Sequence, residues 1–333
     1  MKKDTIILQQ ERDFGDKINA TFSIVSQNFK TLFLSLLYFA GPLALIGGIA
    51  NGIFQSSMLG LASQGTTKPR GTSPSEIFAD SFGKKFSYIF SFDYLISITF
   101  LILASVTVSI TTYAFIIEYR DRDQEEPITI ERVWARMRAI FLPVLSSYGI
   151  VLLIISMIVL VFGGIIGALV NSNGGVLTGF LSVILVLIAF IPILYFGIMY
   201  SLSPAIVAYE GINIWEALSR AKFLIKDKWW STFGLIIIIA IINSFISVIF
   251  AAPVMIVTFM KLLNVGGNIS GNLPLIITTV ISMIGQVVVS SLTYVAISFQ
   301  YFNLVEKREG TTLKTLIQSI GQKKLDLNED GEY

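Results

Sequence analysis

The sequence predicts an all-α polytopic membrane protein, with six transmembrane helices in three helical hairpins joined by amphipathic interfacial elbow helices. Three observations lead there. Of 333 residues, 54% are hydrophobic and 14% charged, against about 25% charged in a soluble domain. Mean hydropathy is +0.74, and several apolar runs exceed the roughly 20 residues that cross a bilayer. All 24 Lys and Arg fall outside those runs.

The spans read at about 32–57, 90–117, 143–169, 177–208, 231–259 and 275–304, within one integral membrane domain covering 1–333. With the N-terminus inside, nineteen basic residues lie on the cytoplasmic side. Five lie opposite: Lys68, Arg70, Lys84, Lys85 and Lys261. The positive-inside bias therefore places both termini in the cytoplasm. The start, MKKDTIILQQERDFGDKINATF, lacks a sustained apolar core and an A-x-A-like site, so no cleavable signal is expected. In the first external loop, 62–75 reads as a mobile Gly/Pro/Ser/Thr stretch and 76–88 as a short interfacial helix.

The elbows repeat. In 213–228, Ile214, Leu218, Ala221 and Ile225 recur at helical spacing, with Asn213 and Glu216 spaced as a capping box. Before span one, Phe14, Ile18, Phe22, Val25 and Phe29 form a stripe of the same kind. A gapless overlay of 13–33 on 213–233 keeps start signal, acid and closing aromatics in register. Before span three, Ile130, Val133, Trp134, Met137 and Phe141 follow Thr129. A shorter version, Leu313, Leu316, Ile317 and Ile320, follows span six. The chain thus reads as repeats at about 13–118, 129–210 and 213–306, with a cytoplasmic tail at 307–333.

All four tryptophans, Trp134, Trp215, Trp229 and Trp230, lie in or beside elbows, where an indole suits the headgroup level. Together with Arg220, Lys222 and Lys226 they form the candidate lipid interface. Two readings stay open: the elbows bury their apolar faces in lipid and turn basic residues to anionic headgroups, or they pack on the spans as a collar. The span-end carboxylates Glu118, Glu210 and Glu306 read as corner residues pairing with elbow Arg or Lys, with a coupled proton site as the alternative.

The run 206–230 carries the pattern E-G-x-x-x-x-E-A-L-x-R-A-x-x-L-x-K-x-x-W-W, at Glu210, Gly211, Glu216, Ala217, Leu218, Arg220, Ala221, Leu224, Lys226, Trp229 and Trp230. It resembles the membrane domain associated with some glycerophosphoryl diester phosphodiesterases, and free-standing bacterial membrane proteins with that domain. The resemblance implies a multi-pass protein of the bacterial cytoplasmic (inner) membrane and a partner role in a membrane complex. The phosphodiesterase activity does not carry over, because it belongs to a separate soluble barrel that needs histidines and metal-binding carboxylates.

The chain contains no Cys and no His. Thiolate chemistry and disulfides are thereby excluded, and the commonest general base and transition-metal ligand are missing. No catalytic residue, metal or cofactor is expected. A net charge of +2, with the basic residues dispersed, gives no case for nucleic acid.

Inside the spans, Asp93 shares a helix face with Ser97, Ala104 and Thr111, and span six carries Thr279, Ser282, Gln286 and Thr293. Asp93 reads either as an intramembrane proton or cation site or as a carboxylate near the external boundary that reaches hydrated headgroups. The Ser/Thr/Gln stripes read as interhelical glue or as a pathway. Ala40, Ala44, Gly48 and Gly52 in span one, and Gly163 and Gly167 in span three, read as close-approach surfaces, with an oligomer interface as the alternative. Pro42, Pro192, Pro204 and Pro253 are candidate kinks. The function read from these features is a non-enzymatic membrane subunit or scaffold that contacts lipid or a protein partner through its elbows. The rival is a small transporter or channel between spans two and six, using Asp93, Ser97, Ser282 and Gln286.

Overall fold

The computed structural model describes residues 6–64, 91–122, 126–171, 175–263, 265–267 and 271–310. The expected loop helix at 76–88, the stretch 62–75 beyond Gln64 and the elbow at 313–320 lie outside them. Among the described residues the secondary structure is helical, in ten helices: α1 (Phe14–Gln27), α2 (Phe29–Phe39), α3 (Gly41–Gln64), α4 (Phe92–Asp121), α5 (Ile130–Asn171), α6 (Gly175–Tyr200), α7 (Ser203–Glu210), α8 (Ile214–Ile225), α9 (Trp229–Leu262) and α10 (Asn272–Glu309). Six segments are long and apolar enough to cross a membrane: 41–60, 92–121, 130–169, 177–210, 229–262 and 272–309.

Local chemistry sets where these helices break. The run expected as span one divides at Ala40, because Pro42 has no N–H to continue the ladder and instead sits in the first turn of α3. Span four divides at Ser201–Leu202, with Pro204 opening α7, whose last turn closes on Gly211 at φ 67. That left-handed cap is where glycine is needed, and it explains the Gly of the Glu210-Gly211 pair. Pro143, Pro192 and Pro253 lie inside continuous helices.

The elbow expected before span three is not a separate helix. No Gly, Pro or left-handed residue interrupts 130–142, so α5 runs for 42 residues. At 1.5 Å per residue that is about 63 Å, longer than the roughly 40–45 Å of a bilayer with its headgroups. In contrast, α1 ends at Asn28 and α8 at a turn whose Asp227 has φ 65. Those two breaks coincide in the overlay of 13–33 on 213–233.

The chain forms two compact units. The first comprises residues through Gln27, Tyr113–Ile239 and the chain from Tyr294 onward. Its core includes Tyr113, Phe115, Leu202, Ile206, Leu224, Phe299 and Phe302, all fully buried. Tyr209 stacks on Phe302 at 5.0 Å and meets Tyr113 edge-on at 5.7 Å. Ser147 of α5 and Ser203 of α7 are hydrogen-bonded at 2.7 Å in the same interior.

The second unit comprises Asn28–Thr112 and Ala240–Thr293. Here the small-residue stripe of span one has a partner. A Cβ on Gly48 would lie 2.9 Å from Val280 Cα, and one on Gly52 would lie 2.7 Å from Ile276 Cα. The backbones of α3 and α10 are in contact. Gly163 and Gly167 of α5 have nothing within 4 Å of a built Cβ.

The spans differ sharply in burial. Buried residues make up 72% of the apolar window of α4 and 50% of that of α10, against none for α5. Leu153, Leu160, Phe190, Phe245 and Ile249 are among the large apolar side chains left exposed on α5, α6 and α9. In a membrane those faces meet acyl chains.

Gly52→Ala is expected to destabilise by about 1–3 kcal/mol, since backbone must move. Gly167→Ala is expected to be neutral or to add up to about 1 kcal/mol of helix propensity. Thermal unfolding of both variants in one detergent checks this, and equal shifts would contradict the packing described.

Candidate functional site

The elbow α8 is capped as its sequence suggests. Asn213 Oδ1 accepts from Glu216 N at 3.0 Å, and Asn213 Nδ2 donates to Glu216 Oε1 at 2.7 Å. Its apolar side faces protein: Ala217, Leu218, Ala221, Leu224 and Ile225 are all buried. Of the two readings open for this elbow, the packed collar is the one its contacts match.

Charge fixes its position. Arg220 Nε donates to both carboxylate oxygens of Glu210, at 3.0 and 2.9 Å, while Arg220 Nη1 pairs with Glu309 at the end of α10. The Tyr301 hydroxyl donates to Glu210 Oε1 at 2.8 Å. The guanidinium is held above the ordinary arginine range, chiefly by its hydrogen bond to Glu309 and further by Glu210, against the cost of burial. Arg220 thus ties α7, α8 and α10 together.

A similar corner forms at the end of α4. Glu118 is buried, with Arg136 Nε donating to Oε2 at 3.0 Å and Arg132 Nη1 pairing with Oε1 at 3.5 Å. Arg136 stands seven residues after Thr129, as Arg220 stands seven after Asn213. Glu306 is half-buried near the end of α10.

The first elbow buries the same register positions as α8, since Lys17, Thr21 and Ile24 lie over Ala217, Ala221 and Leu224 in the overlay, but it fills them with different chemistry. Its expected apolar stripe is not what it buries: Phe22 and Phe29 are exposed, and Lys17, Thr21 and Ile24 are buried. The physical reason is a polar chain. Lys17 Nζ donates to Gln300 Oε1 at 2.7 Å, Gln300 Nε2 to Thr232 Oγ1 at 2.8 Å, and Thr232 Oγ1 to the Lys228 carbonyl at 3.1 Å. Arg12 N donates to Asn303 Oδ1 at 2.8 Å, with its guanidinium 5.1 Å from the Phe299 ring centre. Sequence reasoning missed these residues. The available signal was Ser298, Gln300 and Asn303, three hydrogen-bonding side chains in the last apolar turns of span six.

The exposed side of α8 carries the unspent cations. Lys222, Lys226 and the adjoining Lys228 are exposed, and none has an ion pair among the described residues. Trp215 and Trp230 are exposed beside them. Trp229 is half-buried; its Nε1 donates to the Tyr195 carbonyl at 3.2 Å and its ring stacks on Tyr195. Trp134 is exposed on α5, with the Arg138 guanidinium 5.5 Å from its ring centre.

All four residues expected as a polar path lie in the second unit, and two of them, Ser282 and Gln286, are hydrogen-bonded to each other. Asp93 lies in the first turn of α4, partly exposed, where a carboxylate complements the helix N-terminus. Ser97 is buried in α4; Ser282 is buried in α10 and accepts from Gln286 Nε2 at 3.0 Å. Gln286 alone of the four lines a cavity of about 220 Å³, with Ser105, Asn243, Ser247 and Ser290. The Asn243 amide donates to Thr293 at 2.7 Å, while its Oδ1 is buried without a partner. Among the described residues no group of three or more Asp, Glu, His or Cys is placed to hold a metal ion.

Two outcomes are expected. Arg220→Ala removes hydrogen bonds to two carboxylates and is expected to cost about 2 kcal/mol and to speed tryptic cleavage at Lys222, Lys226 and Lys228. Unchanged cleavage would show that the clamp does not hold the elbow. Burial, with Lys307 nearby and Asp13 opposing, lowers the Lys17 ammonium to about 8. Between that pH and the ordinary lysine range, near 10.4, the unfolded chain holds the proton more often. Stability is therefore expected to rise with pH across that window. Lys17→Met should flatten the rise in thermal unfolding followed by tryptophan fluorescence.

No curated protein and no solved structure matches the chain. Residues 17–313, which take in every described span, match the family described as Domain of unknown function (DUF8558), and the chain belongs to that family.

Proposed function

We propose that the protein is a non-enzymatic subunit or scaffold of the bacterial cytoplasmic membrane, both termini inside, whose elbows hold a basic, tryptophan-marked surface against anionic headgroups. The observation that carries this reading is the division of charge on α8. Arg220 is consumed by Glu210 and Glu309, whereas Lys222, Lys226 and Lys228 stay exposed. A surface lysine held near an anionic leaflet contributes about 1 kcal/mol of attraction. The likeness of 206–230 to the membrane domain of the phosphodiesterase family supports the same reading, with a protein partner in the membrane as the further consequence.

Purified protein in phosphatidylcholine vesicles should gain thermal stability when about a third of the lipid is phosphatidylglycerol, and high salt should shrink the gain. No gain would remove the headgroup role. Orientation is testable by labelling single cysteines introduced into this cysteine-free chain; a cytoplasmic signal from position 65 would overturn it.

The cavity at Asn243 and Gln286 supports a second reading, a path for a small uncharged solute. Solute flux in vesicles that Asn243→Leu abolishes would favour it over the scaffold.

A further inference from the structure

The exposed face of α8 is not a flat basic surface. It forms one wall of a groove of about 440 Å³ in the first unit. Ser219, Lys222, Phe223 and Lys226 succeed one another along that wall, at the spacing that puts them on one helix face. Tyr195 and Trp229 line it as well. We infer that this groove is a discrete binding site for the phosphate of one anionic phospholipid, deepening the proposed headgroup role, on which it rests.

Three features of the groove argue for that occupant. The first is charge. Lys222 and Lys226 reach the groove four residues apart, exposed and without ion pairs among the described residues. The carboxylate that lines it, Asp227, is met by Arg308 at 3.5 Å, and the same guanidinium also donates to the Lys226 carbonyl. A phosphate there meets two ammonium groups and the Ser219 hydroxyl, the donor chemistry that binds phosphate in charge-assisted hydrogen bonds.

The second is rigidity. Trp229 is fixed by its bond to Tyr195 and by stacking on Phe233 at 5.1 Å. Phe223 lies under Arg308, 5.4 Å from its ring centre. The aromatic walls therefore lose little freedom when a ligand enters, and the ordering falls on the two lysines.

The third is depth. Trp229 begins a span, and the neighbouring Trp230 is exposed, as is Tyr195. Indoles and phenols with one apolar and one polar side settle at the headgroup boundary. The groove therefore offers cations where a lipid phosphate sits and aromatic surface where its glycerol and acyl chains begin. A soluble anion would use the first and gain nothing from the second.

The test is native mass spectrometry of the full chain in detergent, titrated with phosphatidylglycerol, with phosphatidylcholine as the neutral-headgroup control. A single tightly held phosphatidylglycerol is expected. Lys222→Gln with Lys226→Gln should weaken it by roughly tenfold or more, the corresponding Lys→Arg pair should keep it, and Lys30→Gln, at an exposed lysine that does not line the groove, should leave it unchanged. If both glutamine and wild-type chains prefer phosphatidylglycerol equally, the groove is not the site, while the broader headgroup role stands. If the wild-type chain shows no preference for anionic lipid, both fall. If millimolar inorganic phosphate displaces the lipid, the site is one for free phosphate and the lipid assignment is overturned.

Discussion

An ion pair at the end of a membrane span must satisfy two masters: it has to neutralise charge close to hydrocarbon, and it has to aim whatever follows. The Arg220 pairing with Glu210 and Glu309, closed by the Tyr301 hydroxyl, does both. One guanidinium offers enough donors, in a fixed planar fork, to hold two carboxylates that come from different helices. A 12-residue helix is marginal by itself, so the elbow is held by this clamp together with the burial of Ala217, Leu218, Ala221, Leu224 and Ile225. Once placed, its apolar side fills the space beside α7 and its basic side is presented outward. The groove wall and the exposed Lys222 depend on that placement.

Membrane context decides how far such a network can be tolerated. Glu118, Glu210 and Lys17 are all partly or fully withdrawn from solvent, yet each has a hydrogen-bonding or ionic partner. An unpaired charge at that depth would be expensive. Among the described residues the second unit packs without a charge pair, bringing glycines of α3 against the backbone of α10.

Much of this was legible in the sequence. Apolar run length and the exclusion of every Lys and Arg from those runs identified six spans, and Asn213 with Glu216 marked the start of α8. The corner role of Glu118 and Glu210 followed from finding a carboxylate where a span ends and an Arg one elbow later. What could not be read was direction. The stripes of α1 and α8 have the same period, but period reports that a helix has two faces, not which face meets protein. Lys17 was invisible for that reason: its partner Gln300 is 283 residues away, and a lysine on the polar side of an amphipathic helix looks solvated. Helix breaks at Pro42 and Pro204 were marked by sequence, whereas the uninterrupted α5 was hidden by analogy with its neighbours. The cavity at Asn243 depends on four helices meeting, which no single periodicity records.

The burial of Lys17 has a consequence for the order in which the molecule is made. A ribosome releases α1 long before α10, so Lys17 emerges before the segment that carries its acceptor. Its partner Gln300, like Asn303, which accepts from the Arg12 backbone N–H, arrives only after every other described span has been synthesised. Until then the polar side of α1 must remain hydrated, with its phenylalanines against lipid. Capture of that face by α10 is therefore a closing step, and it joins the earliest described helix to the latest. A chain interrupted before α10 would leave an ammonium in search of an acceptor, a chemical mark by which an incomplete protein differs from a finished one.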